Sequence, residues 1–346
     1  MKTFKVGGLI VLLALLLVFP LFVSDPTYTG IAVFTLIFAG AATAWNIFSG
    51  YTGYISLGHA IFYGVGGYAL AIMCQDWHIE GGYAPFLLLP VVGLIASAFA
   101  LPLGWIALRT RRHIFVVFTI ALFFIFQLLA YNLSGVTNGS SGMFLPSPAW
   151  SADFFNIPFY YVALAVLIIG FGVSWWIRNS KYGLCLLAIR DDEDRALSLG
   201  VKTGAYKLFA YVISAFFVGI AGALISYFIG SLYPAFTFNP AFDVTVALMV
   251  ILGGIGTLGG PLLGGLLLEP LQQYLTAQLG TVGLDLIVFG GTLLAVILFL
   301  PEGIIPTLSK RWRKRMAVRN NTASSVIRGR GTEDVLPSVS RQGGKG

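Results

Sequence analysis

The 346 residues are 57% hydrophobic and only 10% charged, with 42 glycines and a net charge of +7. Soluble domains carry about 25% charged residues, so a soluble globular fold is excluded and a chain solvated by lipid is implied. The positive charge is not interleaved with aromatic residues on one face, which argues against a nucleic-acid partner. Cys74 and Cys185 are the two cysteines, too few for a disulfide or zinc framework. No metal or other cofactor is expected.

A membrane-crossing helix needs about 20 apolar residues. Runs of that length predict an all-α polytopic membrane protein with about ten transmembrane helices, near 7–23, 30–49, 57–74, 85–108, 114–133, 158–177, 208–229, 242–257, 261–279 and 283–300. Lysine and arginine resist translocation, and here they alternate cleanly with the spans. Lys2 and Lys5 precede the first; Arg109, Arg111 and Arg112 follow the fourth; Arg178, Lys181, Arg190, Arg195, Lys202 and Lys207 follow the sixth; the rest lie beyond residue 301. The opposite-side segments contain no basic residue, and both termini are therefore predicted to be cytoplasmic. The first span is too long for a secretory h-region, and Phe22-Val23-Ser24 makes a poor cleavage site, so it is read as a crossing. The division is one transmembrane domain, 1–306, with a cytoplasmic segment at 178–207, followed by a basic, disordered tail over 307–346.

In chain order, the first polar interruption is Gly50-Tyr51-Thr52-Gly53-Tyr54-Ile55-Ser56-Leu57-Gly58-His59. Irregular backbone at membrane depth persists only when buried in protein or facing water, so Gly50, Tyr51, Thr52, Gly53, Ser56 and His59 are candidates to line or gate a pathway. A tight turn between packed helices would share this composition. The outer loop offers Thr137, Asn138 and Ser140 as polar groups. Residues 188–200 then read as one short amphipathic helix, with acids in its first turn and Gly200 closing it. Arg190, Asp191, Glu193, Arg195, Ala196 and Gly200 are its candidate contact residues, although a solvated surface helix would look similar. The second interruption, Gly253 to Pro261, contributes Gly254, Gly256 and Thr257.

Gly254-Ile255-Gly256-Thr257-Leu258-Gly259 matches G-x-G-x-x-G, but it sits in a membrane segment, Pro261 follows, and no acidic residue lies about 20 positions on. No phosphate-binding G-x-x-x-x-G-K-[ST] occurs, so the chain contains no ATP motor. Catalytic residues are not indicated and the chain is not read as an enzyme. Among ionisable residues within spans, Asp243 and Asp285 begin helices on the outer side, where water or headgroups can solvate them, and His59 lies near the inner side. Glu269 alone looks deep, with either a pairing or a pathway role. That is few buried carboxylates for a proton- or sodium-coupled carrier.

Four motifs together resemble the LivM-type permease subunits of bacterial ATP-binding-cassette importers for branched-chain amino acids. They are Gly50-Tyr51-Thr52-Gly53 with Ser56-Leu57-Gly58-His59-Ala60; Thr137 to Gly142; Ala188 to Gly200 continuing through Tyr206-Lys207-Leu208 to Leu224; and Met249 to Pro261. The resemblance covers about residues 30–300 and implies an importer permease fold in the bacterial cytoplasmic membrane. It also implies a paralogous permease subunit, two cytoplasmic ATPase subunits, an extracytoplasmic substrate-binding protein and a small amino-acid substrate. The segment with Glu193, Ala196 and Gly200 would dock on an ATPase, small residues seating it and Arg190, Glu193 and Arg195 supplying polar contacts. Glu193-Asp194-Arg195-Ala196 departs from the broader Glu-Ala-Ala signature. Urea and short-amide importers use closely similar permeases, and a stand-alone channel or secondary carrier is the alternative from another class.

Overall fold

A computed structural model describes residues 14–23 and 25–279, together with 290, 291, 294, 303–307 and 310. Residues 7–13 of the first predicted crossing, most of the tenth at 283–300 with Asp285, and the tail beyond residue 310 lie outside the described residues.

The architecture is helical. The helices that matter below are α1 (Pro26–Trp45), α2 (His59–Asp76), α3 (Leu89–Ala107), α4 (Arg112–Asn132), α5 (Ala152–Asn179), α6 (Lys181–Asp191), α7 (Glu193–Ser198), α8 (Thr203–Ile229), α9 (Pro240–Gly253) and α10 (Gly260–Leu279). Local chemistry sets several starts. Asp25 accepts from the Thr27 amide at 2.8 Å with Pro26 at the first helical position, and Asn239 with Pro240 repeats the arrangement on α9.

Among the described residues, six helical segments are long and apolar enough to cross a membrane: Pro26–Gly50, Leu89–Ala107, Arg112–Asn132, Phe154–Asn179, Thr203–Ile229 and Pro234–Gly253. They coincide with the second, fourth, fifth, sixth, seventh and eighth of the spans expected from the sequence. The third and ninth predicted spans form α2 and α10, of 18 and 20 residues, but glycine and polar side chains keep both out of that apolar class.

Small residues let the helices approach closely. A side chain on Gly66 of α2 would strike the backbone of Gly219 on α8, and one on Gly222 would meet the Tyr63 backbone, with Tyr63 Cα at 2.9 Å. On the other side of the bundle, a side chain on Gly265 would lie 2.7 Å from Ala39 Cα. Consequently α1 and α8 are central, with 72% of their apolar windows buried, whereas α4, at 22%, is peripheral. At the outer end, Met143–Phe144 (β1) pairs antiparallel with Ser231–Leu232 (β2), tying the 137–142 loop to the end of α8.

Candidate coupling site

The first glycine break begins before its first glycine. Helix α1 loosens into a π-turn over Asn46–Gly50, a distortion that accompanies functional positions in many helices. Asn46 is fully buried, and its carboxamide reaches the second break, 210 residues on. Its Nδ2 donates to the Thr257 carbonyl at 3.0 Å while its Oδ1 accepts from the Gly256 amide at 2.8 Å. Both partners are main-chain groups that lipid could not satisfy, so one side chain closes two vacancies.

The glycines follow from this geometry. A Cβ on Gly50 would lie 3.1 Å from the Gly256 amide nitrogen and would overlap the Asn46 carboxamide. Gly53, Gly254 and Gly256 have φ of +73°, +117° and +71°, conformations that L side chains seldom adopt.

Residues 188–200 are not the single helix expected. α6 stops at Asp191 and α7 starts at Glu193, with the corner at Asp192. The Asp192 carboxylate accepts from the Arg195 amide at 3.0 Å, so a residue read as first-turn charge is an N-cap that restarts the chain in a new direction. Gly200 terminates α7 as expected, at φ +83°. Its amide bonds to Leu197 O at 2.9 Å and the Val201 amide to Ala196 O at 3.0 Å, a Schellman closure.

Two side chains expected to dress this segment's outer surface turn inward instead. Arg190 Nη1 donates to the Gly50 carbonyl at 2.9 Å and to Ile255 O at 3.5 Å, bridging both glycine breaks. Glu193 accepts from Lys207 Nζ at 2.6 Å and from the Tyr54 hydroxyl, beside Gly53. Ala196 is buried within the chain as well. The physical reason is desolvation: Lys207 is only 3% exposed, and a buried ammonium demands a carboxylate. Burial by itself would raise the Glu193 carboxyl, but hydrogen bonds from Lys207 and Tyr54 and the Lys207 charge outweigh it and hold it below the ordinary carboxylate value. Asp191, Asp194, Arg195, Leu197, Leu199 and Gly200 form the exposed side.

Two further arginines complete the tie. Arg112 Nη2 donates to the carbonyls of Ile189 and Arg190 at 2.6 and 2.7 Å, placing a cation at the C-terminal end of α6 where the helix dipole favours it. Arg178, at the end of α5, donates to the Gly256 carbonyl and lies 5.4 Å from the Tyr51 ring. Sequence reasoning did not single out Asn46, Tyr54, Arg112, Arg178 and Lys207, which make these ties. Only Asn46 left a usable signal, a lone carboxamide in the apolar run 30–49.

The remaining candidates sort by location. Tyr51 bonds Ser174 Oγ at 2.8 Å, Thr52 Oγ1 donates to Phe48 O at 2.8 Å, and the Ser56 carbonyl accepts from Trp45 Nε1 at 2.9 Å, so the first break is closed by its own bonds. Thr257 Oγ1 donates to Gly254 O at 2.7 Å and does the same for the second. His59, fully buried, meets Ser214 Oγ at 2.8 Å. Asp243 does not sit in solvent or headgroups. It is 1% exposed, and its Oδ2 accepts from the Ala60 amide at 3.2 Å, capping α2 from another helix because Gly58 has no side chain to do so.

Thr137, Asn138 and Ser140 stay in the outer loop, where Thr137 Oγ1 donates to Ala130 O at 2.6 Å and Asn138 Nδ2 to Gly142 O at 2.8 Å. Glu269 is buried, with Gln273 donating to it at 2.8 Å. It lies about 14 Å along α10 from Gly260 by helical rise and does not join the breaks. Cys74 and Cys185 are free thiols. Among the described residues no cluster of histidine, cysteine and acids could hold a metal.

Long apolar helices, a glycine-pinned core and buried polar ties at one end define a multi-pass membrane protein. The profile described as branched-chain amino acid transport system / permease component matches residues 27–297, and the chain belongs to that family. It is similar to the high-affinity branched-chain amino acid transport system permease protein LivM of Escherichia coli K12, at 28% identity over 342 residues, covering 91% of this chain and 77% of the relative. LivH of the same organism is 27% identical over 286 residues, covering 78% of this chain and 91% of that one. A probable branched-chain amino acid transport permease protein LivH from Methanocaldococcus jannaschii is 22% identical over 240 residues, covering 64% and 75% respectively. No solved structure matches the chain.

Proposed function

We propose that this chain is the membrane subunit of an ATP-driven importer of branched-chain amino acids in the bacterial cytoplasmic membrane. It works beside a paralogous permease, two cytoplasmic ATPases and an extracytoplasmic binding protein. In this reading the chain crosses about ten times with both ends cytoplasmic, residues 1–306 form the permease domain, and 307–346 form a basic tail. The likeness to both LivM and LivH, separately named permeases of one organism, supports a paired core.

The observation that carries the mechanism is Arg190. It joins the 178–207 segment to Gly50 of one break and Ile255 of the other. An ATPase that moved the exposed side of α7 would pull on Asp192, Glu193 and Arg190 together. Asn46 makes the two breaks move as one, and α1, α2, α9 and α10 would rock about them to expose the pathway to each side in turn. Gly50, Tyr51, Thr52, Gly53, Ser56, His59, Gly254, Gly256 and Thr257 then act at the gate; Thr137, Asn138 and Ser140 lie towards the outer entrance, and Glu269 beside the path. A cavity of about 310 Å³ bordered by Tyr63, Ser226, Tyr233 and Thr237 along with apolar side chains has the mixed character a zwitterion with an aliphatic side chain needs.

Reconstitution in proteoliposomes tests the reading. Leucine uptake should require ATP, both ATPases and the binding protein. Uptake by this chain alone, or a binding protein that selects urea over every amino acid, would overturn it.

A further inference from the structure

At the end of α3 that carries the basic residues, a groove of about 400 Å³ opens between Gly104, Trp105, Leu108 and Arg109 on one side and Gly204 and Leu208 of α8 on the other. The Arg109 guanidinium lies 3.7 Å from the Trp105 ring centroid, a cation–π contact that holds it over the opening. Among the described residues it makes no hydrogen bond or ion pair, whereas Arg112, Arg178 and Arg190 all bind carbonyls. The structure thus keeps one oriented cation open towards the surroundings. Arg111 and Lys202, each two residues along the chain from a groove residue, Arg109 and Gly204, are also exposed.

Gly204 leaves the floor bare, since a Cβ there would meet nothing within 4 Å. From Trp105 on the rim of the groove, Leu101, Ala98, Leu94 and Val91 continue as exposed residues at spacings of three or four, forming one apolar face along α3. Trp105 stands where the apolar face ends and Arg109 begins, the depth at which tryptophan marks headgroups. An apolar track crowned by an unpaired cation is complementary to an acyl chain crowned by a phosphate.

We propose that this groove binds one anionic phospholipid of the inner leaflet, with its phosphodiester on Arg109 and an acyl chain along the outer face of α3. The assignment to the inner leaflet rests on the orientation proposed above; the site itself does not.

The test is native mass spectrometry of the full-length chain in detergent, titrated with phosphatidylglycerol or phosphatidylcholine. Phosphatidylglycerol should bind about fivefold more weakly to Arg109→Gln. Gly204→Leu, whose Cβ would meet nothing within 4 Å and whose side chain would occupy the groove, should lose it, while phosphatidylcholine stays weak throughout and excess inorganic phosphate fails to displace the lipid. Wild-type binding in both variants, equal binding of the two lipids, or displacement by phosphate at comparable concentration would overturn the proposal. The measurement requires neither ATPase nor uptake, so its failure leaves the transport reading standing.

Discussion

Arg190 and Gly50 lie 140 residues apart in the chain, yet the guanidinium donates to that glycine's carbonyl at 2.9 Å. The bond links the segment proposed to meet the ATPase with the break proposed to gate the pathway. Arg190→Lys keeps the charge but places it on a shorter stem, short of the point where Nη1 meets both carbonyls. We expect ATP hydrolysis to continue while uptake falls at least tenfold, measured as the ratio of the two in proteoliposomes. An unchanged ratio would show that force reaches the gate by another route.

The exposed side of the same segment should behave differently. Leu199→Glu and Arg195→Glu are expected to weaken recovery of the ATPase with the permease without altering the thermal stability of the isolated chain, because both side chains are exposed. Co-purification at wild-type yield would remove this surface from consideration.

The Glu193–Lys207 pair makes stability depend on pH. Glu193 is held below its ordinary value, so its contribution is complete above the unfolded pKa of about 4.3 and disappears as pH falls through the lower folded value. Glu193→Gln should be destabilised at pH 7 by about 2 kcal/mol, since the buried Lys207 ammonium keeps its bonds to Tyr54 and the Leu108 carbonyl but loses its counter-charge. The gap to wild type in thermal unfolding should narrow below about pH 4. A gap constant from pH 7 to pH 3 would contradict the pairing.

Asn46 closes two backbone groups, and Asn46→Leu leaves the Gly256 amide and the Thr257 carbonyl without partners in a buried place. The expected cost is about 2 kcal/mol or more, with loss of uptake. Asp243 supplies a contrast. Asp243→Asn retains an acceptor for the Ala60 amide and should fold normally, whereas Asp243→Leu should lose about 1 kcal/mol of stability with the missing cap.

Topology is open to a direct check with single cysteines, after Cys74 and Cys185 are replaced. Gly200→Cys should label only from the cytoplasmic side of right-side-out vesicles that have been opened, and Ser140→Cys from outside in intact ones. Labelling of both from the same side would invalidate the proposed orientation.

Composition and the spacing of apolar runs were enough to establish a polytopic helical membrane protein, because lipid imposes a length and an apolarity on each crossing that are written locally in the chain. The glycine breaks and the charged elbow were legible for the same reason, as interruptions in an otherwise apolar text. What only the tertiary structure decided is where side chains point. Arg190 and Glu193 read as surface charge but turn inward, Asp192 turns a helix into a corner, and Asp243 caps a helix 183 residues away instead of facing solvent. Each of those outcomes depends on satisfying a buried amide, carbonyl or ammonium contributed by a distant segment. No local pattern encodes which distant partner will arrive.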